Sequence, residues 1–373
     1  MARTKAARPE QPQEEPNRTP SKVPPTALMK SPPQAQELSH EDRASLKDFL
    51  ERSDKPFSVT TVNPKKRKRS AADTALRIET DLFVPRLSVA YEIQPATNWD
   101  SLKRYKRVAV GNESIALGEC ILVKHDMSQD DPRIDSLGQW KAKVLEVRAL
   151  DPEHVYIRVA WLNRPEDLAG GRQPHHGKNE LIPTNQLDII DAMTVNGGLN
   201  LFEWDDSNDE SPMPGIDEYF WRQTYDYANT KTFSKLRKFC RDRKPQNPDE
   251  MILQCESPKC RKWMHVDCIV KDAVQRANRG TAREGKAVKI KKRASVASVS
   301  LDPTPPATAM AQEGAYTAEF LVRGSPNGPD DTPSEVTQIV VTDAEGEQRT
   351  EHVTCLFCRE PIEPAISVYG SNC

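Results

Sequence analysis

From about Phe83 to Trp204, apolar and polar residues exchange at short intervals, the pattern of strands with one buried face. Ser114-Ile-Ala-Leu-Gly-Glu-Cys-Ile-Leu-Val123 reads as a strand, a turn at Gly118-Glu119 and a second strand. Trp140-Lys-Ala-Lys-Val-Leu-Glu-Val147 alternates less strictly, and His154-Val-Tyr-Ile-Arg-Val-Ala-Trp161 alternates well, with Asp151-Pro152-Glu153 as the turn between them. Asn185–Asp191 and Thr194–Gly198 add two more short elements. Several short β-branched strands punctuated by Gly, Pro and Asp predict a small barrel or partly open sheet. Upstream, Leu46, Phe49 and Leu50 fall at helical spacing behind Ser39-His-Glu-Asp42, a capping box with Asp in place of Glu or Gln. That predicts a short amphipathic helix, either a docking peptide or a transient element. Gln338 to Cys355 reads as a hairpin that delivers the last cysteines.

Composition narrows the class. The 373 residues carry 53 Lys+Arg against 55 Asp+Glu, a net charge of −2, so no globally basic surface is available to wrap nucleic acid. No apolar run approaches a membrane span. Ten of the 30 prolines fall in residues 1–70, which hold no Trp, Tyr or Cys, so residues 1–82 read as a disordered basic and proline-rich arm. All six tryptophans lie between Trp99 and Trp263, where the cores must form. Within the arm, Lys65-Lys66-Arg67-Lys68-Arg69 is either a solvated charge run or the compact basic block that importins recognise. The second choice predicts a nuclear protein.

The candidate chemistry sits in the last third. Cys255-Glu-Ser-Pro-Lys-Cys260, His265 and Cys268 follow a lone Cys240 and precede Cys355-Leu-Phe-Cys358. Zinc takes four N or S donors at tetrahedral corners, and short Cys-to-Cys knuckles with a His-x-x-Cys supply them. With no signal peptide and a nuclear-type basic block, this is Zn(2+) chemistry rather than disulfide chemistry. Residues 270–350, between the ligand runs, read as a mostly disordered insertion: basic from Gly280 to Arg293, rich in Pro, Thr and Ala from Asp302 to Ala309, and without a core pattern. Gly-rich phosphate loops, Gly-x-Ser-x-Gly elbows and His-Glu-x-x-His helices are all missing, so no enzyme is predicted.

The cysteine spacing resembles a PHD finger, in which alternating ligand pairs share two zinc ions. That resemblance implies one site of Cys240, position 242, His265 and Cys268, and another of Cys255, Cys260, Cys355 and Cys358. Asp242 stands where the family has Cys; a carboxylate also ligates zinc, so the first site is either weakened or lost. Upstream, Trp161-Leu-Asn-Arg-Pro-Glu-Asp167, Gly170-Gly-Arg172, His176-Gly-Lys-Asn-Glu-Leu181 and Asn185-Gln-Leu-Asp188 together look like a BAH (bromo-adjacent homology) domain. The order BAH then PHD, joined by Ile216–Tyr225, is similar to plant short-life and early-bolting proteins and to fungal effectors of Polycomb repression. The resemblance covers roughly residues 85–275 and 350–362. It implies a multi-domain, mainly-β chain: a partly open BAH barrel over residues 83–230, then a small PHD finger over 233–365.

In those relatives the BAH domain reads trimethyl-lysine with an aromatic cage, because a quaternary ammonium offers no N–H and is held by cation–π attraction. Trp140 and Trp161 match two cage positions, as an alternative to plain core packing. The third falls on Asn163, so a ring comes from elsewhere, such as Tyr219 or Phe220, or a lower methylation state is preferred. His176 matches a position that contacts the peptide backbone, as an alternative to a structural turn residue. In the finger, Trp263, Met251 and the pair Asp249-Glu250 match a pocket for a histone tail, although Pro245-Gln246-Asn247 supplies no second aromatic and Val353 replaces an expected Trp. The resemblance therefore implies a chromatin reader in transcriptional repression whose partners are a nucleosomal histone tail and importin, with no membrane and no small-molecule substrate. The alternative is a non-reading BAH–PHD scaffold. Ala2-Arg3-Thr4-Lys5, once Met1 is removed, equals the start of the histone tail that PHD fingers bind. It is either a chance match or a self-mimic that contacts the finger.

Overall fold

In a computed structural model, the described residues are 38–62, 76–84, 87–125, 138–283, 310–313, 316–325 and 334–362. The alternating segments form one sheet. Its order is Val195–Leu199, Cys120–Val123, Trp140–Ala149, Val155–Asn163, Ile182–Asp191, Tyr225–Asp226 and Thr232–Phe233, with Lys103–Tyr105 also on Trp140–Ala149. The central hairpin turns at Asp151–Glu153, where the Asp151 carboxylate accepts from the backbone N–H groups of Glu153 and His154, both at 3.0 Å. Ile121, Ala142, Val144, Ile157 and Val159 point to one face and form a core with Trp161 and Val195. The strands at 114–123 exist, but they are not partners. Glu113–Ala116 pairs with Arg107–Val110, and Cys120–Val123 pairs with Trp140–Ala149 and Val195–Leu199.

The reading of residues 1–82 as disordered is corrected within the described part. His40–Glu51 is a helix capped by Ser39, whose Oγ accepts from the Asp42 N–H at 3.1 Å and donates to the Asp42 carboxylate at 2.6 Å. Leu46 and Leu50 are buried with Phe57, Trp99, Tyr156 and Ile189. Ser58–Val62 and Arg77–Glu79 flank Val89–Gln94 in a three-stranded sheet over the same core. The segment orders because the body of the domain supplies aromatic partners that its own composition lacks. The import block Lys65–Arg69 and the Ala2–Lys5 match lie outside the described residues.

The reading of 270–350 as mostly disordered is corrected in the same way. Val266–Arg283 is a helix, and Met310–Glu313, Tyr316–Ser325, Ser334–Thr342 and Gln348–His352 form a four-stranded antiparallel sheet in that order. Ile269, Val270, Ala273, Val274 and Ala277 line one side of the helix and bury against Ala318, Phe320, Ile339 and Val341 of the sheet. Val353, in the place of the expected Trp, is 1% exposed in the same core. The expected hairpin is the last pair of strands, registered Gln338↔His352 to Thr342↔Gln348.

Candidate peptide cleft and metal centres

Two antiparallel strands set the cleft. Ala142 faces Trp161 and Lys141 faces Leu162, so alternation puts Trp140, Trp161 and Asn163 on one side of the sheet. The rings of Trp140 and Trp161 meet edge to face, with centroids 5.3 Å apart and planes at 88°. Trp140 is half exposed, at 50%, while Trp161 is 8% exposed and is both cleft floor and core. The cleft has a volume of ≈ 510 Å³, and Asn163 lines it together with Asp167 and two rings that the sequence did not single out, His125 and Tyr227. His125 stands edge-on to Trp140 at 5.2 Å. Tyr219 and Phe220, the alternative rings, do not line the cleft: Tyr219 neighbours it through Lys141, whose Nζ lies 5.3 Å from its centroid, and Phe220 packs on Trp204.

His176 is not available to a peptide. It is 4% exposed; its Nδ1 accepts from the Gln173 N–H at 3.0 Å and its Nε2 lies 3.4 Å from Gln223 Oε1. Burial, opposed by the Gln223 contact and reinforced by Arg222 and Arg172, holds its pKa below the usual histidine value. The motif around it is a structural knot: Arg222 and Glu180 are a fully buried ion pair at 3.1 Å, and Arg222 stacks on Trp204 at 4.9 Å. Its signal in the sequence was the motif as a whole, not a free histidine.

The eight candidate ligands gather as two groups of four. Cys255, Cys260, Cys355 and Cys358 form one, and Cys240, Asp242, His265 and Cys268 the other, with ligand atoms in each within 4.8 Å of one another. A tetrahedral zinc with Zn–S bonds of about 2.3 Å separates neighbouring sulfurs by about 3.8 Å. Here Cys255 and Cys358 are 3.6 Å apart and Cys260 and Cys355 3.7 Å. In the other group His265 Nδ1 lies 3.3 Å from Asp242 Oδ1 and 3.7 Å from Cys268 Sγ. The edges fit a bound metal ion in both groups, and the mixed set is the chemistry zinc accepts. The short strands Ile252–Gln254 and Trp263–His265 pair between the two groups, and Cys268 opens the long helix.

The expected pocket of the finger is closed. Trp263 is 8% exposed, and the chain's own residues 204–213 lie across it, leaving a cavity of ≈ 30 Å³ lined by Trp204, Asp209, Met213, Phe239, Ile252 and Trp263. Arg237 pairs with Asp209, whose carboxyl is held below its usual range by that pairing and, against burial, by the Trp263 indole. Met251 packs against the finger core. Asp249 accepts from the Lys178 N–H at 2.5 Å, and Glu250 accepts from Asn247 Nδ2 at 3.2 Å. Asn247 also donates to the Pro174 carbonyl at 3.0 Å. A Cβ on Gly177 would stand 2.6 Å from Pro248 Cγ, so only glycine allows this approach. These acids serve the junction with the 171–181 loop.

No protein-family profile matches the chain. It is 30% identical to the chromatin remodeling protein SHL of Arabidopsis thaliana over 170 residues, which is 45% of this chain and 70% of that protein. It is 26% identical to the chromatin remodeling protein EBS of the same plant over 159 residues, 42% of this chain and 64% of that protein. Among solved structures, the yeast Rsc2 BAH domain matches at a TM-score of 0.25 and 18% identity, over 36% of this chain and 55% of that one, a likeness too slight to argue from. The chain belongs to the family of BAH–PHD chromatin proteins that includes the short-life and early-bolting proteins.

Proposed function

We propose that this protein is a nuclear chromatin reader that binds a trimethyl-lysine histone tail, of the Polycomb-repressive type, in its BAH cleft and acts in transcriptional repression. The perpendicular pair Trp140 and Trp161 in an open cleft supports this most directly. Two ring faces at that angle offer a quaternary ammonium the cation–π attraction that replaces its hydration. The finger, as a zinc-bound structural unit with Zn(2+) in both ligand groups, holds the linker and the 171–181 loop in place. The basic block Lys65–Arg69 supplies import through importin.

A calorimetric titration of the full chain with a trimethyl-lysine histone-tail peptide tests this. Trp140→Ala, half exposed and free of the core, is expected to weaken binding by about tenfold or more, whereas Asn163→Tyr strengthens it. Equal affinity for the unmethylated peptide, or for Trp140→Ala, counts against it. One observation favours a second reading: the finger pocket is filled by the chain itself. That suits a scaffold that binds protein partners, and a histone-peptide array with no methyl-dependent signal would select it.

A further inference from the structure

The third ring of the cleft is the point at which this chain departs from a complete cage. Asn163 stands where a ring is expected, and the loop after Tyr225 brings Tyr227 to the cleft instead, with 38% of its surface exposed. The loop is tightly held. Asp226 accepts from Asn185 Nδ2 at 2.7 Å, from the Asn229 N–H at 3.0 Å and from the Thr230 hydroxyl at 3.1 Å. Asn185 in turn accepts from the Ala228 N–H at 2.8 Å. The loop ends on Lys231, whose φ of +56° is the left-handed region that non-glycine residues seldom adopt, and whose N–H donates to the Asp226 carbonyl at 2.8 Å. That turn sends the side chain back over the loop, with Nζ 3.5 Å from the Tyr227 centroid. This is the shortest cation-to-ring distance among the described residues.

We infer that Tyr227 is the third wall of the methyl-lysine cage, in place of the ring missing at Asn163, and that Lys231 is a built-in cation that competes for that ring. The inference rests on the methyl-lysine reading of the cleft. A ring's attraction for a cation is electrostatic, so an ammonium already seated on Tyr227 both draws on its π density and repels a second positive charge. Lys231 therefore sets the affinity low, and its effect passes through Tyr227.

The test is a double-mutant cycle on the full chain, titrated calorimetrically with the same trimethyl-lysine histone-tail peptide, with melting curves recorded for each variant. Tyr227→Leu is expected to weaken binding about fivefold, and Tyr227→Phe, which keeps the ring, to bind like the unaltered chain. Lys231→Gln is expected to tighten binding about threefold, more at low salt, and to have no effect in the Tyr227→Leu background. If Trp140→Ala loses binding while Tyr227→Leu does not, or if Phe fails as badly as Leu, Tyr227 is not a cage wall. If Lys231→Gln tightens binding equally with and without the ring, it acts as a general surface charge and its part is overturned. If the unaltered chain does not bind the peptide at all, the reading of the cleft falls and this inference with it.

Discussion

Three arginines close the turns of the finger: Arg243, Arg261 and Arg359 follow directly on Asp242, Cys260 and Cys358, with φ of +55°, +49° and +66°. The left-handed step turns the chain back so that the Arg261 N–H reaches the Ser257 carbonyl at 3.1 Å and the Arg359 N–H reaches that of Cys355 at 3.0 Å. An L-residue there costs about 1–2 kcal/mol, part of which glycine recovers against its larger unfolded-state entropy. Arg359 offsets the cost with an ion pair to Asp272 at 2.7 Å, whereas Arg261 is exposed. Arg261→Gly is therefore expected to raise stability by about 0.5 kcal/mol and Arg261→Ala to give no gain, read from thermal melting; equal effects would show that the turn is not strained. At this scale the convergence of the eight candidate ligands into two groups was legible, because their spacing is a local property of the sequence. Asn163 was legible as a gap for the same reason. Tyr227 was not, since only the parallel pairing of Thr184 with Tyr225 carries its loop to the cleft.

Among the elements, the helix His40–Glu51 shows which part of a fold local sequence carries. Its cap and its apolar spacing were visible at Ser39, Asp42, Leu46 and Leu50. Its docking was not visible, because Trp99 and Tyr156 lie far along the chain and meet it through Phe57, at ring distances of 5.2 Å each. Arg43 adds a hydrogen bond to the Leu150 carbonyl at 2.9 Å. The helix Val266–Arg283 was missed for a different reason. Its stripe of Ile269, Val270, Ala273, Val274 and Ala277 is short, and a basic, proline-punctuated tract follows it. A docked first helix has a measurable consequence. Leu50, 3% exposed, leaves a cavity when cut back, so Leu50→Ala is expected to cost about 2–4 kcal/mol in urea unfolding. A loss within about 0.5 kcal/mol would mean that the helix is only loosely attached.

For the whole molecule, the two candidate ligand groups and the inserted sheet share one core, in which Cys240, Cys255 and Cys355 are buried with Phe320, Ile339 and Val341. Folding of that unit should therefore depend on metal, since its apolar cluster closes only when the cysteines converge. The central sheet around Trp161 has a separate core of its own. Metal removal is thus expected to act unevenly along the chain. Metal analysis should give about two zinc ions per chain, falling to about one in Asp242→Ala, because a three-ligand site binds more weakly than a closed one. Chelation should then open the described segments 239–283 and 334–362 to protease while a fragment that contains the central sheet through Thr232–Phe233 persists. The Asp249–Lys178 and Arg237–Asp209 contacts hold the finger to that fragment, so its melting temperature should fall without its unfolding. Persistence of the inserted sheet after complete chelation would show that its core stands without the metal, and would break the coupling between ligands and sheet.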